Sequence, residues 1–135
     1  MMVTETTIRV RYGETDQMGV VYHGNYALYF EEARTDALRK INITYKSMEE
    51  EGVMMPVVSL STDFKRPAKY DDLLTIRSIM RELPTAKIVL EYEVLNEANQ
   101  LLATGNSILV FVDMKTNRPI KCPEHLYQKF TTFFV

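Results

Sequence analysis

Asn25–Ile41 reads NYALYFEEARTDALRKI, and its spacing sets the fold class. Tyr26, Tyr29, Phe30, Ala33, Ala37, Leu38 and Ile41 recur three and four residues apart, which places them on one face of a helix. The other face carries Glu31 with Arg34, and Asp36 with Arg39 and Lys40, pairs spaced to support one another across a turn. The helical pattern runs from Asn25 to Glu51, with Asn25 as its cap and Gly52 as its stop. Propensity falls over Asn42–Thr44, where the helix is expected to bend or break.

On either side of this segment the period is two. Ahead of it, Thr6–Tyr12 alternates Ile8, Val10 and Tyr12 with Thr7, Arg9 and Arg11, a strand that Gly13 ends. Beyond Gly52, PVVSLSTDFKRP sets Val58, Leu60, Thr62 and Phe64 against Ser59, Ser61, Asp63 and Lys65, and Pro67 closes it. LLTIRSIMREL, AKIVLEYEVLN and LLATGNSILVFVD add three strands, the second with Ile88, Leu90, Tyr92 and Val94 on one side. Their separators AKYDD, LPT and NEANQ have hairpin length and turn composition. Pro123 opens a short terminal helix with Leu126, Phe130 and Phe133 as its apolar stripe. One long helix and a run of hairpin-connected strands bury their apolar faces best when an antiparallel sheet wraps the helix, so the expected class is α+β. Residues 1–135 form a single domain. Apolar residues on both sides of several strands point to a homo-oligomer.

Composition narrows the function. The chain has 135 residues and a formal charge of −2, enough length for a core and no long-range attraction to nucleic acid or anionic membrane. One cysteine and two histidines make a metal centre an unfavoured reading. No apolar run reaches the roughly 20 residues of a membrane span, and MMVTETTIRV lacks the character of a secretory signal. The expectation is a soluble, cytoplasmic protein.

The chemistry concentrates in YGETDQMGVVYHGNY, Tyr12–Tyr26. Asp16 followed three residues later by Gly19 is a turn signature. VVYHGNY then leads into the helix, whose first N–H groups are unpaired and carry the positive end of its dipole. Such groups, around Tyr22, His23 and Gly24, suit a carbonyl oxygen that becomes negative during reaction. An oxyanion site beside a carboxylate is a hydrolytic arrangement. His23 can serve by its ring, toward water or a thioester, or by its backbone N–H. Glu31 is a secondary candidate, whereas Glu32 reads as helix surface charge. His125, Cys122, Asp71 and Asp72 read as ordinary surface or packing residues. Lys65, Arg66 and Lys69 in KRPAK gather three cations at one turn, suited to the phosphates of a nucleotide.

RVRYGETDQMGVVYHGNYALYFEEAR resembles the start of hotdog-fold acyl-CoA thioesterases of the 4-hydroxybenzoyl-CoA thioesterase family, including the Tol-Pal-associated type. The resemblance rests on Tyr12, the ETD ending at Asp16, Gly19, Val21, His23, Asn25, Tyr26, the following YF and Glu31. It continues through PVVS, FKRPA and YDDLLTI, nearly the whole chain. It implies a hotdog fold, with a five- to six-stranded antiparallel sheet around a long central helix. It also implies dimers with a continuous sheet, commonly paired into a homotetramer, and an active site at the subunit interface. On that resemblance Asp16 is the essential carboxylate and the N–H of His23 polarises the thioester carbonyl. The benzoyl-specific branch has tyrosine at position 23, so histidine is more like the general acyl-CoA branch.

The expected activity is therefore hydrolysis of an acyl-CoA to free acid and coenzyme A, with Asp16 as general base or as nucleophile. Coenzyme A is then part of the substrate, and no cofactor or metal is called for. Tyr29, Met54, Val57 and Val58 are candidates for the acyl pocket. The rivals are a thioesterase acting on acyl carrier protein, a hotdog dehydratase, and a non-catalytic acyl-CoA-binding module.

Overall fold

The computed structural model describes Met1–Val135. In chain order the elements are β1 (Met2–Arg9), α1 (Tyr26–Lys40), α2 (Tyr45–Glu50), β2 (Val53–Met54), β3 (Val57–Phe64), β4 (Leu73–Met80), β5 (Lys87–Leu95), β6 (Leu101–Asp113), β7 (Arg118–Ile120) and α3 (Glu124–Phe133). The first strand starts four residues before the expected Thr6–Tyr12 and stops at Arg9. Tyr12–Glu14 instead forms a single 3-10 turn.

The sheet is antiparallel, ordered β1-β4-β5-β6-β3, and the short strands β2 and β7 extend the far end of β6. These two short strands were not anticipated, because two or three residues are too few to establish a period. Alternation sorts the two faces of the sheet as side-chain geometry requires. Leu74, Ile76 and Met80 on β4, with Ile88, Leu90, Tyr92 and Val94 on β5, are buried toward α1. On the outer face Glu5, Arg77 and Glu93 align across β1, β4 and β5 as an ion-paired ladder.

The apolar stripe of α1 is buried as expected: Tyr26, Tyr29, Phe30, Ala33, Ala37, Leu38 and Ile41 all lie in the core. Its seat is Gly105 on β6. A Cβ there would lie 2.5 Å from the ring of Phe30, which stacks on Tyr92 with centroids 4.5 Å apart. The helix is shorter than the expected Asn25–Glu51. Asn42 takes a positive φ of 63°, while the N–H groups of Asn42 and Ile43 bond back to Arg39 and Leu38. That is a Schellman stop. Thr44 then caps α2, its hydroxyl accepting from the N–H of Ser47. The second helix ends at Gly52, which has a φ of 87°.

Two surface assignments change. Arg34 does not pair with Glu31 on the exposed face; it is buried, because its long stem follows the apolar stripe inward. On α3, Leu126 and Phe130 are buried but Phe133 is exposed, and Phe134 packs against the core in its place. Finally, β3 pairs only with β6 and forms an open edge. Its alternation therefore does not separate buried from exposed residues: Val57, Val58, Leu60 and Phe64 are all exposed in the single chain.

Candidate active site

The segment between β1 and α1 folds as a small hairpin. Thr15 bridges Val21, the N–H of Asp16 donates to the carbonyl of Val20, and that of Gly19 to the carbonyl of Asp16. Asp at the first and Gly at the last position suit this turn, and Gly19 has a φ of 78°. One carboxylate oxygen of Asp16, Oδ1, accepts the Met18 N–H at 2.8 Å. Its other oxygen makes no hydrogen bond within the chain, so a half-buried carboxylate keeps one oxygen available.

Glu14 anchors the base of this hairpin, a role its sequence context did not disclose. Its Oε1 accepts from the Arg11 N–H at 2.8 Å and from the Tyr29 hydroxyl at 3.0 Å, and its Oε2 is ion-paired with Arg11. Its main-chain carbonyl accepts from the Tyr22 N–H and from Nδ2 of Asn25. Burial pushes the Glu14 carboxyl up, but the Arg11 and Tyr29 hydrogen bonds outweigh it and hold the group below its ordinary value. Burial and the Glu14 carboxylate together push the Tyr29 phenol well above its usual range. The one available signal was the three-residue spacing from Arg11 to Glu14.

With its side chain engaged at Glu14, Asn25 does not cap α1 as expected; it already has helical dihedrals. The helix is instead preceded by a 3-10 turn over His23–Asn25, and no side chain caps that turn. The N–H groups of His23 and Gly24 have no acceptor in the chain. They are the free donors of an uncapped helix start. The His23 ring is exposed, packs against Tyr22 with centroids 4.3 Å apart and lies near Phe64. The space left by the missing side chain of Gly24 holds the Tyr22 ring, 2.6 Å from where a Cβ would sit.

Two recesses flank α1. The first, about 250 Å³, is lined by Val20, Val21, His23, Tyr26, Phe64, Lys65, Arg66 and Pro67. It joins the helix start to two of the three candidate phosphate ligands, which lie some forty positions away in sequence. Lys69 is adjacent through its backbone bridge to Val20, outside the lining itself. None of the three cations is ion-paired within the chain. The second recess, about 520 Å³, lies farther along α1 and contains Glu31 and Met54 together with Arg34, Tyr45 and Met55. Of the other acyl-pocket candidates, Tyr29 is buried against Glu14, and Val57 and Val58 lie on the open edge strand. Elsewhere, Cys122 is half-buried, and burial together with Glu124 pushes its thiol up to about 12. His125 contacts Glu51, and Asp72 caps the N–H of Lys69.

A sheet curved around one central helix, with an acid-bearing hairpin feeding an uncapped helix start, defines a hotdog-fold thioesterase. Residues 10–130 match the model of the thioesterase-like superfamily, and the chain belongs to that family. It is 35% identical over 121 residues to a putative acyl-CoA thioesterase, YneP, of Bacillus subtilis, covering 90% of this chain and 88% of that protein. It is 30% identical to the acyl-CoA thioester hydrolase YbgC of Escherichia coli, covering 91% and 92%. Among solved structures, a DHNA-CoA thioesterase from Staphylococcus aureus superposes with a TM-score of 0.91 at 32% identity, covering 98% and 91%. No helix of the chain is long and apolar enough to cross a membrane.

Proposed function

We propose that this protein hydrolyses acyl-CoA thioesters at the junction of the Asp16 hairpin and the start of α1. The observation that carries the reading is that one short segment, Asp16–Gly24, leaves both a carboxylate oxygen of Asp16 and the N–H groups of His23 and Gly24 without partners in the chain. In one course, the Asp16 carboxylate takes a proton from water, the oxygen of that water adds to the thioester carbonyl, and the C–S bond breaks to release coenzyme A thiolate. In the other, the carboxylate adds to the carbonyl itself, thiolate leaves, and water opens the mixed anhydride. Both courses put negative charge on the carbonyl oxygen, where the helix-start donors are worth on the order of 10²-fold in rate. A thiol of pKa about 8.5 leaves without strong acid assistance.

In this reading the backbone of His23 supplies the donor. Lys65 and Arg66 meet the phosphates of coenzyme A, with Lys69 beside them. Glu31 lies roughly 12 Å farther along the helix axis, at 1.5 Å per residue from His23, and takes no part in proton transfer. The relatives named for acyl-CoA hydrolysis favour acyl-CoA over acyl carrier protein as the substrate. The open β3 edge, which exposes Val57, Val58, Leu60 and Phe64, supports a dimer with a continuous sheet and, from two such dimers, a homotetramer. A lone free cysteine accords with the reducing cytoplasm.

The test is thiol release across short, medium, long and aromatic acyl-CoAs, with acyl carrier protein thioesters in parallel. The wild type is expected to turn over acyl-CoA. Asp16→Asn should fold with an unchanged melting curve and lose at least about 10³-fold in kcat, as expected when a group that acts directly on the reacting atoms is removed. A variant with near wild-type turnover refutes this assignment.

A further inference from the structure

Arg34 is 6% exposed, yet no carboxylate pairs with it. Its Nε donates to the Tyr45 hydroxyl at 2.9 Å and its Nη1 to the Tyr92 hydroxyl at 3.3 Å, and Tyr92 continues the chain to Ser107 at 2.8 Å. Both of its partners are phenol hydroxyls. A guanidinium carries five N–H donors and does not give up its proton, and Nη2 has no acceptor in the chain. What exposure Arg34 retains is onto the 520 Å³ recess, whose other walls include the apolar Met54, Met55 and Pro56. Glu31 and Glu49 also line this recess, and both are exposed.

A charged donor with no acceptor in the chain, on a side chain otherwise buried and open only at the recess, is bonded there by water or by a ligand that displaces it. The charge of the recess decides its kind. Two carboxylates repel a third, so an anionic ligand end is disfavoured. A hydroxyl can accept from Arg34 and donate toward a carboxylate. An apolar chain end would block solvent from the guanidinium and return nothing. The two recesses border the same helix and lie toward opposite ends of the open strand β3, with Pro56 in one and Phe64 in the other.

Building on the acyl-CoA reading, we infer that Arg34 determines specificity: the larger recess receives the distal end of the acyl group, and Arg34 selects an uncharged, hydroxyl-bearing end over an equally long hydrocarbon. Discrimination of roughly tenfold or more is the scale of one hydrogen bond to a charged group.

The experiment compares matched pairs, hexanoyl-CoA with 6-hydroxyhexanoyl-CoA and octanoyl-CoA with 8-hydroxyoctanoyl-CoA, and adds suberoyl-CoA as the anionic arm. The wild type is expected to show a higher kcat/KM for the hydroxylated member of at least one pair, with suberoyl-CoA below it. Arg34→Met should bring the ratio to one or below, and Arg34→Lys should restore part of it. A wild-type ratio near one for both pairs, or an unchanged ratio in Arg34→Met, overturns the inference. Because Arg34→Met removes the Tyr45 hydroxyl's partner and one of the two bonds of Tyr92 and risks misfolding, Met54→Trp serves as a second variant that fills the recess without touching the arginine. The preference must fall there too, and its retention also overturns the inference. Calorimetric affinities of the same pairs for Asp16→Asn protein read the ratio without turnover. Failure of every acyl-CoA to release thiol therefore refutes the hydrolase reading, whereas equal affinities within each pair refute only the role of Arg34.

Discussion

Glu14 holds four donors at once: two backbone N–H groups, a phenol and an asparagine amide, besides its ion pair with Arg11. Those bonds join β1's exit, the Asp16 hairpin and the start of α1, so removing the carboxylate loosens the seat of the hairpin on α1 and, on the proposed mechanism, the position of Asp16. Glu14→Ala is expected to lower kcat by on the order of 10- to 100-fold, since a displacement of about 1 Å can have that effect. Tyr29→Phe, which removes one bond, should do less. Steady-state kinetics on both variants, with melting curves as the folding control, check this. The carboxyl titrates below its ordinary 4.5 in the folded chain. Its contribution to stability is therefore complete above the ordinary carboxylate range and is lost as pH falls through the lowered value. Denaturant titrations at neutral and acid pH should show a smaller acid-induced loss in Glu14→Gln than in wild type.

At the scale of elements, α1 is seated by one glycine. Gly105 belongs to the middle of β6, where a glycine ordinarily weakens a strand, and the Phe30 ring occupies the place of its missing side chain. Phe30 is fully buried and stacked on Tyr92, so it has no free direction in which to retreat. Gly105→Ala is expected to destabilise the protein by about 1–3 kcal/mol, the usual range for overpacking, as read by chemical denaturation. Gly24→Ala meets only the half-exposed Tyr22 ring, which can rotate away, and should cost much less. Arg34, Tyr45 and Tyr92 add a polar tie between α1, α2 and β5 that no single element's pattern contains.

For the molecule as a whole, the open edge is the unresolved surface of the single chain. β3 exposes Val58 at 59% and Phe64 at 53%, along a strand whose outer backbone groups have no partner strand. An edge of this kind is protected by charge or by pairing, and this one carries apolar side chains where charge would stand. With the proposed dimer formed through β3, Leu60→Lys is expected to shift sedimentation velocity toward the 15.7 kDa monomer. It should also reduce turnover if the site is completed at the interface. A Leu60→Lys protein that sediments as the wild type does would refute pairing through β3.

The sequence by itself determined the central helix face and the long strands, and it singled out the Tyr12–Tyr26 loop as the candidate site, because these patterns are local. Period 3.6 over Tyr26–Ile41, period 2 in the later strands, and the acid, glycine and helix-start order of Tyr12–Tyr26 each need only neighbours a few residues away. It also carried the family likeness. Tertiary structure decided what depends on partners distant in the chain. Arg34 sits beside acidic and polar neighbours and reads as surface, until Tyr45 and Tyr92 supply acceptors eleven and fifty-eight residues away. Glu14 is one acid in a loop until Tyr29 and Asn25 close on it. Lys65 and Arg66 read as turn cations until the fold brings them to His23. A periodic pattern reports which face is buried, but not which polar groups are carried inside with it, and here one of those groups, Arg34, lines the larger recess.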